Sequence, residues 1–180
     1  MKKEIFHRDI TKIIKNFVIV LTIVAIAVFI DISSKRWVFS YLTKINNLHV
    51  LNDNNSSLEI TKFFSLVMVE NRGISFGMFN DFKYSASFFM ILQFIIGAII
   101  FILGTADQSK CRLFAFSLIA GGAFGNAIDR LQMGRVADFL DFHIADYHWP
   151  AFNFADSIIF IGVSILIIYD IVNNKNHHKN

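Results

Sequence analysis

The fold the sequence predicts is an α-helical membrane protein: four transmembrane helices with a small strand-rich insert between the first and second. Three observations carry this. The 180-residue chain is 54% hydrophobic, with 21 Phe and a single Pro, and its mean hydropathy is +0.51, a balance foreign to ordinary soluble domains. Apolar stretches long enough to cross a hydrocarbon core of about 30 Å occur four times. The first two are separated by about 50 residues, too many for a simple connection.

The first span, 16–34, reads "NFVIVLTIVAIAVFIDISS" and holds Asp31 as its only charge. Lys-rich residues ahead of it, and "AIA" at Ala25 to Ala27, mimic a cleaved signal sequence. The apolar run continues through Val28, Phe29 and Ile30, so an uncleaved anchor is expected. The insert, about 37–82, contains "LEITKFFSLVMVENRG" after the turn-forming "NDNNSS". Its β-branched and aromatic residues predict strands flanking a turn.

The second span, 84–106, carries no charge within its apolar run, and the third, 113–131, ends on Asp129 and Arg130. "GGAFG" in the third span sets Gly121 and Gly125 four apart on one helical face, which suits close helix packing. The fourth span, 151–170, has Asp156 near its start. The tail 173–180, "NNKNHHKN", is polar, and its two histidines are expected to be solvated. The whole chain, 1–180, is read as one domain.

Cations set the orientation. Lys2, Lys3, Arg8, Lys12 and Lys15 precede the first span, Lys110 and Arg112 join the second to the third, and Lys175 and Lys179 follow the fourth. The positive-inside tendency makes these regions cytoplasmic, with both termini inside. Asp31, Asn126, Asp129, Arg130, Asn153 and Asp156 then all fall toward external ends of spans. An ionised side chain at membrane depth is costly and defaults to function, so one polar cluster at the outer boundary is expected.

Composition excludes several classes. A formal net charge of +3, with no basic run interleaved with stacking aromatics, argues against nucleic-acid binding. Cys111 is the single cysteine and cannot form an intramolecular disulfide; "QSKCR" suits a reduced loop. Ser75, Ser117 and Ser157 lack a nearby base motif. His143 and His148 read as surface histidines of a polar loop, and no Cys/His metal spacing is present.

Three chemistries compete for the carboxylates. Two aspartates sharing one proton can split a peptide bond, the carboxylate taking a proton from water and the acid protonating the carbonyl oxygen. Several aspartates can hold Mg²⁺ for phospholipid head-group transfer, for which "GRVADFLD" offers Asp138 and Asp141, although no further acidic motif lies upstream. Asp31 and Asp156 can relay ions in a small transporter, but four spans without an inverted repeat argue against it.

The segments "NRGISFG" (Asn71 to Gly77), "GNAIDR" (Gly125 to Arg130), "GRVADF" (Gly134 to Phe139) and "FNFADS" (Phe152 to Ser157) stand in this order between the spans. Together they resemble the lipoprotein signal peptidase family, signal peptidase II, over nearly the whole chain. The resemblance implies an intramembrane aspartic endopeptidase of the bacterial inner membrane that needs no cofactor or metal. It would remove signal peptides from diacylglyceryl-modified prolipoproteins, just before the lipidated cysteine, with membrane lipids and these substrates as its partners and a monomer as its working form.

The resemblance puts the catalytic pair at Asp138 and Asp156. Asp129 would support the site beside Arg130, while Asn71, Asn126, Arg130 and Asn153 would bind substrate backbone or orient the pair. Asp31 with Lys35 resembles the family's first-span Asp-Gln-x-x-Lys, with Ile32 in place of Gln; Ile74 stands where Ala is usual. Asp156, three residues after Asn153, also fits an acidic first turn after a helix N-cap. Arg130 could pair with Asp129 or a lipid phosphate, or donate to a substrate carbonyl. Asp138 is placed about a turn beyond the third span, and Asp141 and Asp146 read as solvated linker residues.

Overall fold

The computed structural model describes residues 2–47, 57–73 and 85–177. Most of the "NDNNSS" turn and Ile74 fall outside these residues. Four helices are long and apolar enough to cross a membrane, and four short strands form one antiparallel sheet in the order β1-β2-β3-β4.

Helix α1 runs from Lys2 to Asn47. At 1.5 Å per residue it is about 69 Å long, roughly twice the hydrocarbon thickness, so it extends well past the predicted span. The predicted insert therefore begins ten residues late, after Asn47 rather than at about 37. The physical reason is that the buried stripe of Val20, Val24, Ala27, Asp31 and Lys35 continues past the predicted span. No Gly or Pro interrupts "KRWVFSYLTKINN", and Val38 and Leu42, one turn apart, are buried against Phe139.

Strands β1 (Ser57–Thr61) and β2 (Phe64–Asn71) form the expected hairpin. Helix α2 (Ser85–Ala106) presents Phe88, Ile91, Ile95, Ile99 and Ile102 outward, the surface a lipid-facing helix needs. Helix α3 (Lys110–Met133) packs against the other three helices and is the most buried of them.

Small residues make that central position possible. A Cβ on Gly121 would lie 2.7 Å from Ala27 Cβ, and one on Gly125 would lie 2.6 Å from Asp31 Oδ2. Gly121 and Gly125 thus form the seam toward α1, where Ala27 and Asp31 repeat the same four-residue spacing. Gly122 faces α4 instead, its missing Cβ leaving room for the carbonyl of Ala155. The expected packing role of "GGAFG" is therefore two seams.

Helix α3 ends at Gly134, which adopts φ +68° and donates its N–H to Arg130 O at 3.0 Å. The reversal starts β3 (Val136–Ile144) two residues later. β3 pairs with β2 on one side and with β4 (Tyr147–His148) on the other, around the turn at Ala145 and Asp146. The sheet accordingly draws on two separate segments, not on the insert alone. Asp138 lies on a strand rather than in a loop, because both faces of the first half of β3 are buried and its pattern "VADF" shows no clean alternation.

Helix α4 (Phe154–His177) completes the bundle. Just before it, Phe152 bridges Leu140 of β3 in both directions, with Leu140 N to Phe152 O at 2.8 Å and Phe152 N to Leu140 O at 3.1 Å. This bridge sets the start of α4 beside β3.

Candidate active site

The bridge at Phe152 brings the "FNFAD" segment against "VADF". Asn153, fully buried, caps α4: its Oδ1 accepts the N–H of Asp156 at 3.0 Å, and Asp156 Oδ2 accepts the N–H of Asn153 at 3.2 Å. This reciprocal capping box fixes the Asp156 carboxylate over the first turn. The next free amide, Ala155 N–H, is taken by Asp31 Oδ1 at 2.9 Å, so a carboxylate from α1 caps α4 from outside.

The two carboxylates are linked through a pair of amides. Asn153 Nδ2 donates to Asp138 Oδ1 at 2.6 Å and to Asn126 Oδ1 at 3.1 Å; Asn126 Nδ2 donates to Asp156 Oδ1 at 2.8 Å. Asn71, from the end of β2, donates to Asp138 Oδ2 at 3.1 Å. Burial, with the charge of Asp156 nearby, pushes the Asp138 carboxyl up to about 7, against the lowering effects of the Asn71 and Asn153 hydrogen bonds and of Lys35. One proton is therefore readily held at this pair near neutral pH.

Beneath the amides lies a buried ion triad. Lys35 Nζ sits 2.6 Å from Asp31 Oδ2, 2.7 Å from Asp129 Oδ2 and 3.0 Å from Asn126 Oδ1. A single ammonium serves two carboxylates while its third contact polarises Asn126 toward Asp156. Asp129 also accepts the N–H of Ala137 at 3.4 Å, tying the start of β3 to α3. Asp31 stands in the middle of the long α1, not at a helix end, and still reaches the site.

Arg130 does not pair with Asp129. Its Nη2 donates to Gly73 O at 2.8 Å, its Nη1 to Gln93 Oε1 at 2.9 Å, and the guanidinium lies over Phe89. Gly73 in turn donates its N–H to Asn71 Oδ1 at 3.1 Å. Arg130 thus holds the chain that presents Asn71 to Asp138. Gln93 was absent from the sequence expectations, although a carboxamide inside the apolar run of α2 was a visible signal.

Every expected site residue therefore joins one network, Arg130 through the Gly73 backbone. The network opens into a cavity of about 170 Å³ bordered by Asn71, Asn126, Arg130, Asp138 and Asp156. A larger, apolar cavity of about 610 Å³ runs from Asp156 along Trp149, Phe160 and Ile161. Asp141 departs from its expected role. It is buried and accepts from His148 Nδ1 at 2.8 Å, whereas Asp146 is exposed in the hairpin turn.

Four membrane-length helices around a polar network of carboxylates and amides define a multi-pass membrane protein with a candidate catalytic site. The chain belongs to the family described as signal peptidase (SPase) II, which matches residues 23–172, and it is thereby a peptidase. It is 42% identical over 123 residues to a lipoprotein signal peptidase of Cupriavidus pinatubonensis, covering 67% of this chain and 70% of that one. It is 37% identical over 131 residues to the lipoprotein signal peptidase of Anaplasma phagocytophilum, covering 73% and 80%. A Francisella tularensis lipoprotein signal peptidase is 45% identical over 123 residues, covering 66% and 76%. Among solved structures, a bacterial membrane enzyme determined in meso at 2.3 Å resolution superposes with TM-score 0.67 and 27% identity, covering 87% of this chain and 90% of that one.

Proposed function

We propose that the protein cleaves signal peptides from diacylglyceryl-modified prolipoproteins as an aspartic endopeptidase, with Asp138 and Asp156 as the catalytic pair. The observation that carries the reading is the amide bridge: Asn153 and Asn126 join the two carboxylates while a cavity opens beside both. Family membership favours peptide hydrolysis over the phospholipid-transfer and transporter alternatives.

In the proposed mechanism Asp138 holds the shared proton, in keeping with its raised affinity for it. Asp156, anchored by the helix cap, takes a proton from water as that water attacks the scissile carbonyl. Asp138 protonates the carbonyl oxygen; as the gem-diol collapses, Asp156 passes its proton to the leaving nitrogen and Asp138 regains one from a diol hydroxyl, which leaves a carboxylic acid product. Asn71 and Asn153 hold Asp138 in place, and Asn126 relays the field of Lys35 to Asp156. None of these steps calls for a metal or cofactor.

The setting accounts for the substrate. The small polar cavity suits a peptide bond, and the apolar cavity beside Asp156 suits the hydrocarbon that accompanies it. The reading places the site at the extracytoplasmic face of the bacterial inner membrane, with both termini cytoplasmic. A monomer suffices, because one chain supplies the whole network. The test is cleavage of a diacylglyceryl-modified prolipoprotein by the purified protein in detergent, with release of the signal peptide ahead of the modified cysteine. Intact substrate after prolonged incubation with folded protein would refute it.

A further inference from the structure

A second cluster lies on the sheet, away from the carboxylate pair. On a strand, residues two apart share a face, so Asp141 and His143 project from one side of β3 and Asp138 from the other. The turn at Ala145 and Asp146 brings His148 opposite His143 in the β3–β4 register. The two imidazoles stack with centroids 4.7 Å apart, and His148 Nδ1 lies 2.8 and 3.0 Å from the two Asp141 oxygens. His143 Nδ1 is buried without a hydrogen-bond partner, 3.6 Å from Asp141 Oδ2.

Carboxylate oxygen and two imidazole nitrogens, one from each residue, all lie within 4.8 Å of one another. Zinc bonds of about 2.0–2.1 Å place tetrahedral ligand atoms about 3.3 Å apart, so modest side-chain rotation closes the set. A cavity of about 490 Å³ adjoins the cluster, with Ser65 beside Asp141 and Glu59 one strand further out. It leaves room for water as a fourth ligand.

We propose that Asp141, His143 and His148 form a zinc-binding site on the side of β3 opposite Asp138. The ion gives the orphaned His143 nitrogen a partner, takes the place of the proton between His148 and Asp141, and ties β4 to β3. It touches neither catalytic carboxylate and takes no part in peptide cleavage. Its effect is to stiffen the strand that carries Asp138 and the hairpin that leads into the Phe152 bridge.

The test is zinc titration of the full chain in detergent against a chromophoric competitor, after removal of metal with EDTA. One Zn²⁺ is expected to bind, and His148→Ala, whose side chain is exposed, is expected to weaken binding roughly 10-fold or more. His143→Asn and Asp141→Asn should weaken it likewise. Zinc should also raise the thermal midpoint of the unaltered chain and not that of His148→Ala. The tail histidines and Cys111 are the same in every variant. Equal zinc affinity and stoichiometry in His148→Ala and His143→Asn would therefore overturn the site, as would failure of the unaltered chain to bind zinc.

Discussion

Asn153 contacts Asp138 through its side-chain amide at 2.6 Å, while the same residue caps the helix that carries Asp156. One residue thus sets the position of one carboxylate directly and of the other through the backbone. Asn153→Ala removes the donor to Asp138 and the cap of α4 together. Loss of the cap alone costs about 1 kcal/mol. Cleavage should fall far more than abundance does, on the order of 100-fold in kcat, as judged by rates normalised to folded protein. Asn153→Ser keeps a capping oxygen and loses the donor to Asp138 without burying a further charge, so it should recover stability without recovering the rate.

The raised Asp138 carboxyl makes a pH prediction with a definite sign. The proton needed for carbonyl protonation is present below about pH 7 and lost above it, so kcat should decline on the alkaline side of neutrality. The folded state holds this proton more tightly than the unfolded chain, so between about pH 4 and 7 the group's contribution to stability falls as pH rises. Asp138→Asn should therefore be more stable than the unaltered chain at pH 8, with the difference shrinking as the pH is lowered. Thermal unfolding at a series of pH values checks this.

Lys35 is 3% exposed and serves both Asp31 and Asp129. Lys35→Met leaves two buried carboxylates without their cation, at a cost of about 3–5 kcal/mol. The variant should accumulate poorly in the membrane. Adding Asp129→Asn should restore part of the loss, which quantitative blotting of membrane fractions would show.

Gly125 admits the Asp31 carboxylate, which would lie 2.6 Å from an added Cβ. Gly125→Ala must push α1 away from α3 or displace Asp31 from the N-terminus of α4. Overpacking of this kind costs about 1–3 kcal/mol. Activity should fall together with the thermal midpoint, in contrast to Asp138→Asn, where activity and stability part.

Much of this was legible in the sequence, for identifiable reasons. Uninterrupted apolar runs located the four spans, and charge placement gathered Asp31, Asn126, Asp129, Arg130, Asn153 and Asp156 into one region, as the hydrogen-bond network does. The length of α1 was hidden because its continuation buries only Lys35, Val38 and Leu42, the last two against a sheet that the local sequence does not announce. β3 was hidden because it is covered on both faces and carries two aspartates. The burial of Asp141 followed from a cross-strand partner, His148, that no local spacing reveals. Pairing with its neighbour Asp129 was one of the readings open for Arg130, but Lys35, distant in sequence, occupies that place.

The central claim rests on two carboxylates acting together. The most direct measurement is cleavage of a diacylglyceryl-modified prolipoprotein by purified Asp138→Asn and Asp156→Asn proteins beside the unaltered chain, each with and without EDTA. Each substitution should lower the rate by about 10⁴-fold or more while the protein stays folded, and the unaltered chain should cleave equally well with the chelator. Substantial cleavage by either variant, or abolished cleavage on chelation while the protein stays folded, would contradict the proposed pair.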